Sequence, residues 1–167
     1  MRHKVTGRQY ITEKCFGCGR DNPAGLKADF YNLENGEIVA VFQAPEHFQG
    51  YPQRLHGGVT ATIMDEALGR AILAGEPDCW AVTAELTLRY KKPVPLGEPL
   101  RVVARLTGNN RRLFKSAGEL LLPDGEVAVT AVGTYVKQPL GKITDLANAD
   151  VGEERIFQDN DREFIEF

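Results

Sequence analysis

Residues 55–71 read LHGGVTATIMDEALGRA, and this stretch decides the fold because it predicts one long central helix. Its apolar residues recur at helical spacing and are typical of a helix buried on most sides: Val59, Ile63, Met64, Leu68 and Ile72. Gly57 and Gly58 at its start leave backbone N–H groups close to an approaching oxygen atom, where the helix dipole favours negative charge. Asp65 lies among the apolar residues, and a carboxylate in that position predicts a site for acyl chemistry.

The spacing of Gly57 and Asp65 also predicts an assembly. Asp65 follows Gly57 by eight residues, so at about 1.5 Å per residue the two lie roughly 12 Å apart along one helix. A single carbonyl group cannot contact both. If both act on the same carbonyl, Gly57 of one chain works with Asp65 of another, which predicts a two-fold dimer with the site at its interface.

The composition excludes several classes of protein. The 167 residues, 43% of them hydrophobic and 26% charged, suffice for a globular domain with a sizeable core. A net charge of -3 without a cluster of Lys and Arg argues against nucleic acid as a partner. No apolar run approaches the roughly 20 residues of a membrane span, and MRHKVTGRQY lacks the apolar core of a signal peptide. The sequence therefore predicts a cytoplasmic protein that binds neither nucleic acid nor membrane.

Cys15 and Cys18 form a CxxC motif within KCFGCGRDNPAGL. A zinc site needs two more ligands, and only Cys79, His3 and His47 are available, at no recognised spacing. Redox chemistry of the thioredoxin type would place the motif between a strand and a helix, whereas the surrounding glycines and proline indicate a loop. We therefore expect a compact turn with partly buried thiols, and neither a metal nor a cofactor.

The remaining pattern predicts an α+β fold. The helix is expected over about Gly57–Leu73, ending near Gly75. Strands are expected at Leu26–Asn32, Gly36–Ala44, Trp80–Tyr90, Leu100–Thr107, Arg112–Leu122 and Glu126–Val136. The turn at Pro123–Gly125 is the clearest hairpin signal. One long helix followed by an antiparallel meander predicts a sheet that buries the helix on one face.

Composition divides the chain into an N-terminal segment 1–25 with the CxxC loop, a domain over 26–138 and an acidic extension over 139–167. The extension is weakly patterned, which is typical of a mobile or edge-packing segment. Its apolar residues are nevertheless able to dock on the body: Ile156, Phe157, Phe164, Ile165 and Phe167.

Three segments resemble the hotdog-fold acyl-CoA thioesterases of the 4-hydroxybenzoyl-CoA and phenylacetate-degradation type. They are CFGCGRDNPAGL before the first strand, HGGVTATIMDEALG on the helix and LTLRYKKPVPLGEPL between two strands, and together they span most of residues 15–137. The resemblance implies a curved antiparallel sheet wrapped around the central helix, with two such units paired and thioester sites at the dimer interface. It also implies an acyl-CoA substrate and a homodimer that is able to pair further into a homotetramer.

The resemblance implies catalytic roles for Gly57, Asp65 and Gln49. The Gly57 backbone N–H would polarise the thioester carbonyl, and Asp65 would act as the nucleophile or as the general base that activates water. The family often places Asn or Gln some seven residues ahead of the glycine. Gly50 occupies that position here, and one extra loop residue brings Gln49 into register.

Further residues are implied in substrate binding: His56, Gly58, Thr62, Thr83 and Arg89. His56 is expected to hold the loop through hydrogen bonds rather than to act as a base. The family's helper Thr or Ser after the carboxylate is missing, since Gly69 and Ile72 stand there, and Thr62 and Thr83 are substitutes. Coenzyme A phosphates have basic candidates in Arg89, Lys91, Lys92, Arg111 and Arg112.

Three functions are compatible with these residues. Thioester hydrolysis to a free acid and coenzyme A fits best. A non-catalytic acyl-CoA sensor is the alternative from the binding class, although no helix-turn-helix can be placed in the chain. A hotdog dehydratase or hydratase would use a His and acid pair, which HGG followed by Asp65 fits poorly. Glu66 has Arg70 at i+4 and is expected in a solvated ion pair without a catalytic role.

Overall fold

The computed structural model describes residues 1–145 and 155–167, with one α-helix in this part of the chain, α1 (Gly57–Arg70). His56 caps its start, because the His56 Nδ1 atom accepts a hydrogen bond from the Gly58 N–H. A short 3-10 helix, Ala71–Ala74, continues it as far as Gly75. Of the expected apolar stripe, Ile63, Met64, Leu68 and Ile72 are fully buried and Val59 is partly buried, so the helix prediction is confirmed.

Ten strands occur among the described residues: β1 (Arg2–Arg8), β2 (Ile11–Thr12), β3 (Asp29–Leu33), β4 (Ile38–Gln43), β5 (Ala81–Tyr90), β6 (Pro99–Asn109), β7 (Leu113–Leu121), β8 (Val127–Lys137), β9 (Arg155–Ile156) and β10 (Phe164–Glu166). Eight of them form one sheet in the order β10-β1-β3-β4-β6-β7-β8-β5, and β2 pairs with β9. Every pair is antiparallel. The predicted α+β architecture is confirmed, with all six expected strands present at slightly shifted ends.

Strands that the sequence analysis did not predict occur at both ends of the chain, and β10 packs at the edge of the sheet in the manner of an edge-packing extension. The sequence of β1, RHKVTGR, did not predict a strand because its apolar and polar residues do not alternate. Val5 is the one residue of this strand that is buried. The strand is nevertheless held on both sides, by β3 and by β10. From the acidic extension, Ile165 is buried whereas Phe157 stays 74% exposed. Asp150, Glu153 and Glu154 of that extension lie outside the described residues.

The sheet has a core on each face. On one face it packs against α1, which contacts β4, β5, β6, β7 and β8. The other face holds a smaller cluster formed by Val5, Tyr31, Leu33, Val39, Val103, Leu121 and Ile165. None of the helices in the described ranges is long and apolar enough to cross a membrane.

Strand β5 forms the edge of the sheet next to α1 and has two features that matter for the site. Among the described residues it pairs only with β8, so its outer edge is open in this part of the chain, and most of its residues are exposed. The pairing shifts between Thr83 and Glu85, which leaves Ala84 as a β-bulge. A bulge re-aims side chains, and here both Thr83 before it and Leu86 after it face the helix.

Candidate active site

Asp65 lies in the middle of α1, half-buried, with its carboxylate held by two hydroxyl groups. Thr83 Oγ1 lies 3.0 Å and 3.1 Å from the two carboxylate oxygens. The Tyr135 hydroxyl lies 3.1 Å from Asp65 Oδ1 and 3.1 Å from the Asp65 carbonyl oxygen. Among the described residues no Lys or Arg forms an ion pair with Asp65. The carboxylate is thus oriented by neutral donors and keeps its negative charge for a ligand.

Tyr135 is the site residue that sequence reasoning missed. Its ring stacks on Phe114 with centroids 4.9 Å apart. A Cβ atom at Gly133 would lie 2.7 Å from Tyr135 Cε2, and one at Gly69 would lie 3.3 Å from Cε1, so two glycines make room for the ring. Burial and the neighbouring Asp65 carboxylate raise the pKa of Tyr135 well above its usual value, so its hydroxyl stays protonated and donates.

The absence of the family's helper hydroxyl after the carboxylate has a structural reason. The Tyr135 ring occupies the space beside Gly69, where the helper would stand. Thr83 supplies a hydroxyl from β5 instead, in contact with Asp65 as the sequence analysis expected of a substitute. Thr62 does not reach Asp65 in the same way, since its hydroxyl donates to the Gly58 carbonyl oxygen one turn back, at 3.0 Å.

Asp65, Thr83 and Tyr135 line a cavity of about 280 Å³ beside α1. The cavity is also lined by residues from the N-terminal loop, the end of the helix and the start of β5: Tyr10, Thr12, Cys15, Glu66, Gly69, Arg70, Leu73, Cys79, Trp80 and Ala81. Polar and apolar side chains both contribute. A ligand in this cavity would meet the Asp65 carboxylate directly.

The helix start forms a second polar group of residues. The Gly58 N–H donates a hydrogen bond to His56 Nδ1 at 3.0 Å, and this contact holds the loop against the helix start. The Gly57 N–H has no hydrogen-bond partner in the described part of the chain, and as the first helical N–H it has no acceptor within the helix. Tyr90, at the end of β5, donates to the Gly57 carbonyl oxygen at 2.7 Å. The Gly57 N–H is therefore free at the helix start, and the Val59 N–H also has no acceptor among the described residues.

Gln49 lies in the loop next to the helix start, bridged to Leu55. Its Oε1 accepts a hydrogen bond from the Gln53 N–H at 3.0 Å. A backbone N–H can donate only to the oxygen of the Gln49 side-chain amide. The Nε2 group of Gln49 is therefore free to donate to another acceptor. Arg89 is exposed on β5 without a salt bridge to any described residue.

One chain therefore presents two groups of candidate residues rather than one. Thr83 joins Asp65 in the middle of α1, whereas Gln49, His56 and Gly58 gather with Gly57 at its start. Along an α-helix the two groups are roughly 12 Å apart, too far for both to contact one carbonyl.

The Glu66–Arg70 ion pair forms, at 2.7 Å, but it is not solvated as expected. The Arg70 side chain is only 9% exposed and also donates to the Tyr10 carbonyl oxygen and to Cys18 Sγ. Cys15 Sγ lies 3.8 Å from Glu66 Oε1. The thiols are buried and half-buried as expected, but they contact the helix one residue beyond Asp65, which sequence reasoning did not foresee.

The comparisons with known proteins agree with this architecture. Residues 53–129 match the family model of the thioesterase superfamily. The acyl-coenzyme A thioesterase THEM4 of Mus musculus is 33% identical over 111 residues, covering 66% of this chain and 47% of that protein. The chain spans about half the length of the curated relatives it matches first.

Solved structures share the fold. A thioesterase superfamily protein that is 31% identical aligns over 75% of this chain and 61% of its own, with a TM-score of 0.69. A protein from Streptococcus mutans UA159, solved with bound acetyl CoA, is 20% identical and aligns over 66% of this chain and 88% of its own, with a TM-score of 0.60. Residues 53–129 are thus similar to the thioesterase superfamily, and the shared architecture is the hotdog fold.

Proposed function

We propose that the protein is an acyl-CoA thioesterase. In this reaction a water oxygen forms a bond to the thioester carbonyl carbon, the carbon–sulfur bond breaks, and a free acid and coenzyme A leave. The observation that carries the proposal is the Asp65 carboxylate, which faces a cavity and is held by two hydroxyl donors without a cation to neutralise it. The curated relatives named acyl-coenzyme A thioesterase support the same activity.

Asp65 acts in one of two ways, and both need an ionised, oriented carboxylate. As a general base it takes a proton from the attacking water, and as a nucleophile it forms an acyl anhydride that water then hydrolyses. The bonds from Thr83 and Tyr135 fix the direction in which the carboxylate points. The carboxylate has lone pairs left for a water molecule, since two oxygens accept about four hydrogen bonds.

The Gly57 N–H acts as the oxyanion donor. It stands at the positive end of α1, where the helix dipole favours the negative charge that develops on the carbonyl oxygen. The Gln49 Nε2 group, left free by the bond from Gln53, donates to the same oxygen or to the water. His56 and Gly58 hold the helix start in place through their cap.

The site is completed by a second copy of the chain. β5 runs beside α1 in the opposite direction, since Thr83 near its start contacts Asp65 and Tyr90 at its end contacts Gly57. The open edge of β5 can pair with the same edge of a partner, in antiparallel fashion about a two-fold axis near its middle. The end of the partner's strand then lies beside Thr83, which brings Gly57 of the partner subunit close to Asp65.

Coenzyme A fits a second cavity at the helix start, of about 460 Å³, whose lining includes Gly57, Tyr90, Lys91 and Lys92. Two lysines beside an apolar wall suit a ligand with phosphates at one end and an acyl chain at the other. Lys92 also pairs with Glu126, so Lys91 carries the less compensated charge. Arg89, Arg111 and Arg112 are further candidates for contacts with the coenzyme A phosphates. The homotetramer and the cytoplasmic location also stay predictions.

The first experiment measures free thiol release from a panel of acyl-CoAs by Asp65→Asn. The change is nearly isosteric and removes the charge, so we expect a loss of about 10² to 10⁴ in kcat with the fold intact. Asp124→Asn is the matched control, because Asp124 lies in an exposed turn where an Asn oxygen can also accept from the Glu126 N–H. Activity of Asp65→Asn within threefold of the control would remove Asp65 from the mechanism.

The second experiment isolates the Gly57 N–H. Gly57→Pro removes it at a helix position that favours proline, and His56 already has the extended conformation that a following proline requires. Gly57→Ala keeps the N–H, and its added Cβ atom would lie 3.8 Å from the Tyr90 hydroxyl oxygen, which is an ordinary van der Waals contact. We expect Gly57→Pro to lower kcat about 10² to 10³-fold and Gly57→Ala to lower it much less. Binding of acyl-CoA without thiol release by the parent would favour the sensor instead.

Mixing the two inactive variants tests the shared site. A heterodimer of a Gly57→Pro chain and an Asp65→Asn chain has one intact site, formed by the unaltered residue of each. A random equimolar mixture should therefore regain about a quarter of wild-type activity, since half of the dimers are heterodimers with one site of two. No recovery in a verified heterodimer would refute the shared site and leave the hydrolase proposal to the first experiment.

A further inference from the structure

Cys15, Cys18 and Glu66 form a cluster that the proposed hydrolysis does not use. Their two sulfur atoms and one carboxylate oxygen all lie within 4.8 Å of one another. Cys15 and Cys18 belong to the N-terminal loop, whereas Glu66 projects from the middle of α1. We propose that this cluster is a binding site for a divalent zinc ion, which ties the N-terminal loop to the helix.

The loop is shaped to present both sulfurs to the same point. The Cys18 N–H donates to Cys15 Sγ at 3.4 Å, and the Gly19 N–H donates to the Cys15 carbonyl oxygen at 2.8 Å. A Cβ atom at Gly19 would lie 2.3 Å from the Glu13 carbonyl oxygen, so no larger residue fits this turn. Two cysteines separated by two residues in a tight turn are the usual half of a structural zinc site.

Glu66 enters the cluster because the loop leaves room for it. A Cβ atom at Gly17 would lie 2.9 Å from Glu66 Cγ, so a glycine between the two cysteines lets the Glu66 side chain approach. Cys15 Sγ and Glu66 Oε1 are 3.8 Å apart. Zinc bonds of about 2.3 Å to sulfur and 2.0 Å to oxygen at a tetrahedral angle place these atoms about 3.5 Å apart. Closing this pair around an ion therefore needs a shift of only a few tenths of an ångström, and every other pair of ligand atoms lies within 4.8 Å.

The charges of the cluster favour a divalent cation. Two thiolates and the Glu66 carboxylate carry three negative charges, and the buried Arg70 beside them carries one positive charge. A divalent ion brings the sum to zero, which suits a buried group. Arg70 contacts two of the three ligands, because it donates to Cys18 Sγ at 3.2 Å and to Glu66 Oε1 at 2.7 Å. Such outer hydrogen bonds orient metal ligands.

The ligand types select the metal. Thiolates favour zinc over magnesium or calcium, whose ligands are oxygen atoms. Cys15 and Glu66 line the cavity that holds Asp65, so a fourth position on that side is open to water. The chemistry of a dithiol redox pair fits less well, because Cys18 is fully buried and out of reach of a redox partner.

The test measures metal content and the spectrum of the cobalt-substituted protein. The full chain is reduced, freed of metal with a chelator and incubated with Zn²⁺ or Co²⁺ alone. We expect one ion per chain, sulfur-to-cobalt charge-transfer absorption and the d–d bands of four-coordinate cobalt. Cys15→Ser/Cys18→Ser should abolish the charge-transfer band, and Glu66→Gln should weaken cobalt binding at least tenfold. Cys79→Ser is the matched control, because Cys79 lines the same cavity outside the cluster.

A second measurement needs no variant and so does not depend on whether the double variant folds. Alkylation mapped by mass spectrometry should show that stoichiometric Zn²⁺ protects the half-buried Cys15 but not the half-buried Cys79. Three results would overturn the proposal: no ion bound by the reduced chain, cobalt absorption that survives the double variant, or equal alkylation of Cys15 with and without zinc. None of these readouts depends on thioesterase activity.

Discussion

A single methyl group at Gly133 should displace the residue that orients Asp65. In Gly133→Ala the new Cβ atom would lie 2.7 Å from Tyr135 Cε2 and 2.8 Å from its hydroxyl oxygen. Carbon atoms pack at about 3.5 to 4.0 Å, so the ring must move by about 1 Å. It has little freedom to do so, because Phe114 stacks on one side and Gly69 of α1 lies against it.

The cost has two parts. Overpacking of this kind costs about 1–3 kcal/mol, and losing the hydrogen bond to a charged Asp65 costs about 1.5–3 kcal/mol more. We therefore expect the free energy of unfolding to fall by about 2.5–6 kcal/mol, which for a chain of this size lowers Tm by about 5 to 24 °C. Turnover should fall as well, since the carboxylate loses one of its two hydroxyl donors.

Urea and thermal unfolding followed by circular dichroism, with thiol release alongside, check this expectation. Gly108→Ala is the matched control, because Gly108 is also a strand glycine and a Cβ atom there meets nothing within 4 Å. In a Tyr135→Leu background, Gly133→Ala should cost less than about 1 kcal/mol, because the clashing atoms are gone. A loss in Gly133→Ala within about 0.5 kcal/mol of that in Gly108→Ala would refute the reasoning.

Three further predictions follow from other contacts. Arg70→Met should lower the free energy of unfolding by about 3–5 kcal/mol, because it leaves the Glu66 carboxylate and the Tyr10 carbonyl without their buried donor. Urea titration measures this loss. In the same titration the control Arg111→Met, at an exposed position, should change the free energy of unfolding by less than about 0.5 kcal/mol. Tyr90→Phe should lower kcat more than it raises KM for acyl-CoA, because the helix start loses the bond to the Gly57 carbonyl; steady-state kinetics that show only a KM effect would contradict this. The hydrogen bond from Lys137, and then that from Asn109, lower the pKa of Glu76, so its stabilising contribution is present above the ordinary Glu pKa and is lost as the pH falls through the lowered value. Glu76→Gln should therefore have a lower Tm than the parent at neutral pH, and the two Tm values should become equal in acid.

The sequence predicted the features that depend on local pattern. The spacing of apolar residues from Val59 to Ile72 defined the helix, and the turn at Pro123–Gly125 defined the hairpin between β7 and β8, where Gly125 has a φ of +84°. The resemblance offered Thr62 and Thr83 as substitutes for the missing helper, and of the two Thr83 contacts Asp65. These elements follow from short-range physics, so a single sequence is enough to find them.

The features that sequence reasoning missed depend on contacts between distant residues. Nothing local shows that Glu66 meets Cys15, 51 positions earlier, or that β1 gains its partners from β3 and from the end of the chain. Tyr135 had one signal, a glycine two residues before it on the same face of the strand, but its partner Asp65 is 70 positions away. The site depends on such pairs, and for that reason its residues were found only in part.

The bulge at Ala84 decides which residue of β5 faces Asp65. Thr83 on one side of the bulge and Leu86 on the other face the helix together only because one residue is left unpaired between them. Without the bulge, regular alternation would turn Ala84, two residues before Leu86, toward the helix and Thr83 to the opposite face. A chain that lacked Ala84 would have Thr83 two residues before Leu86 and would keep it on the helix face without a bulge, so relatives whose alignments carry a gap here need to be compared by strand face rather than by column.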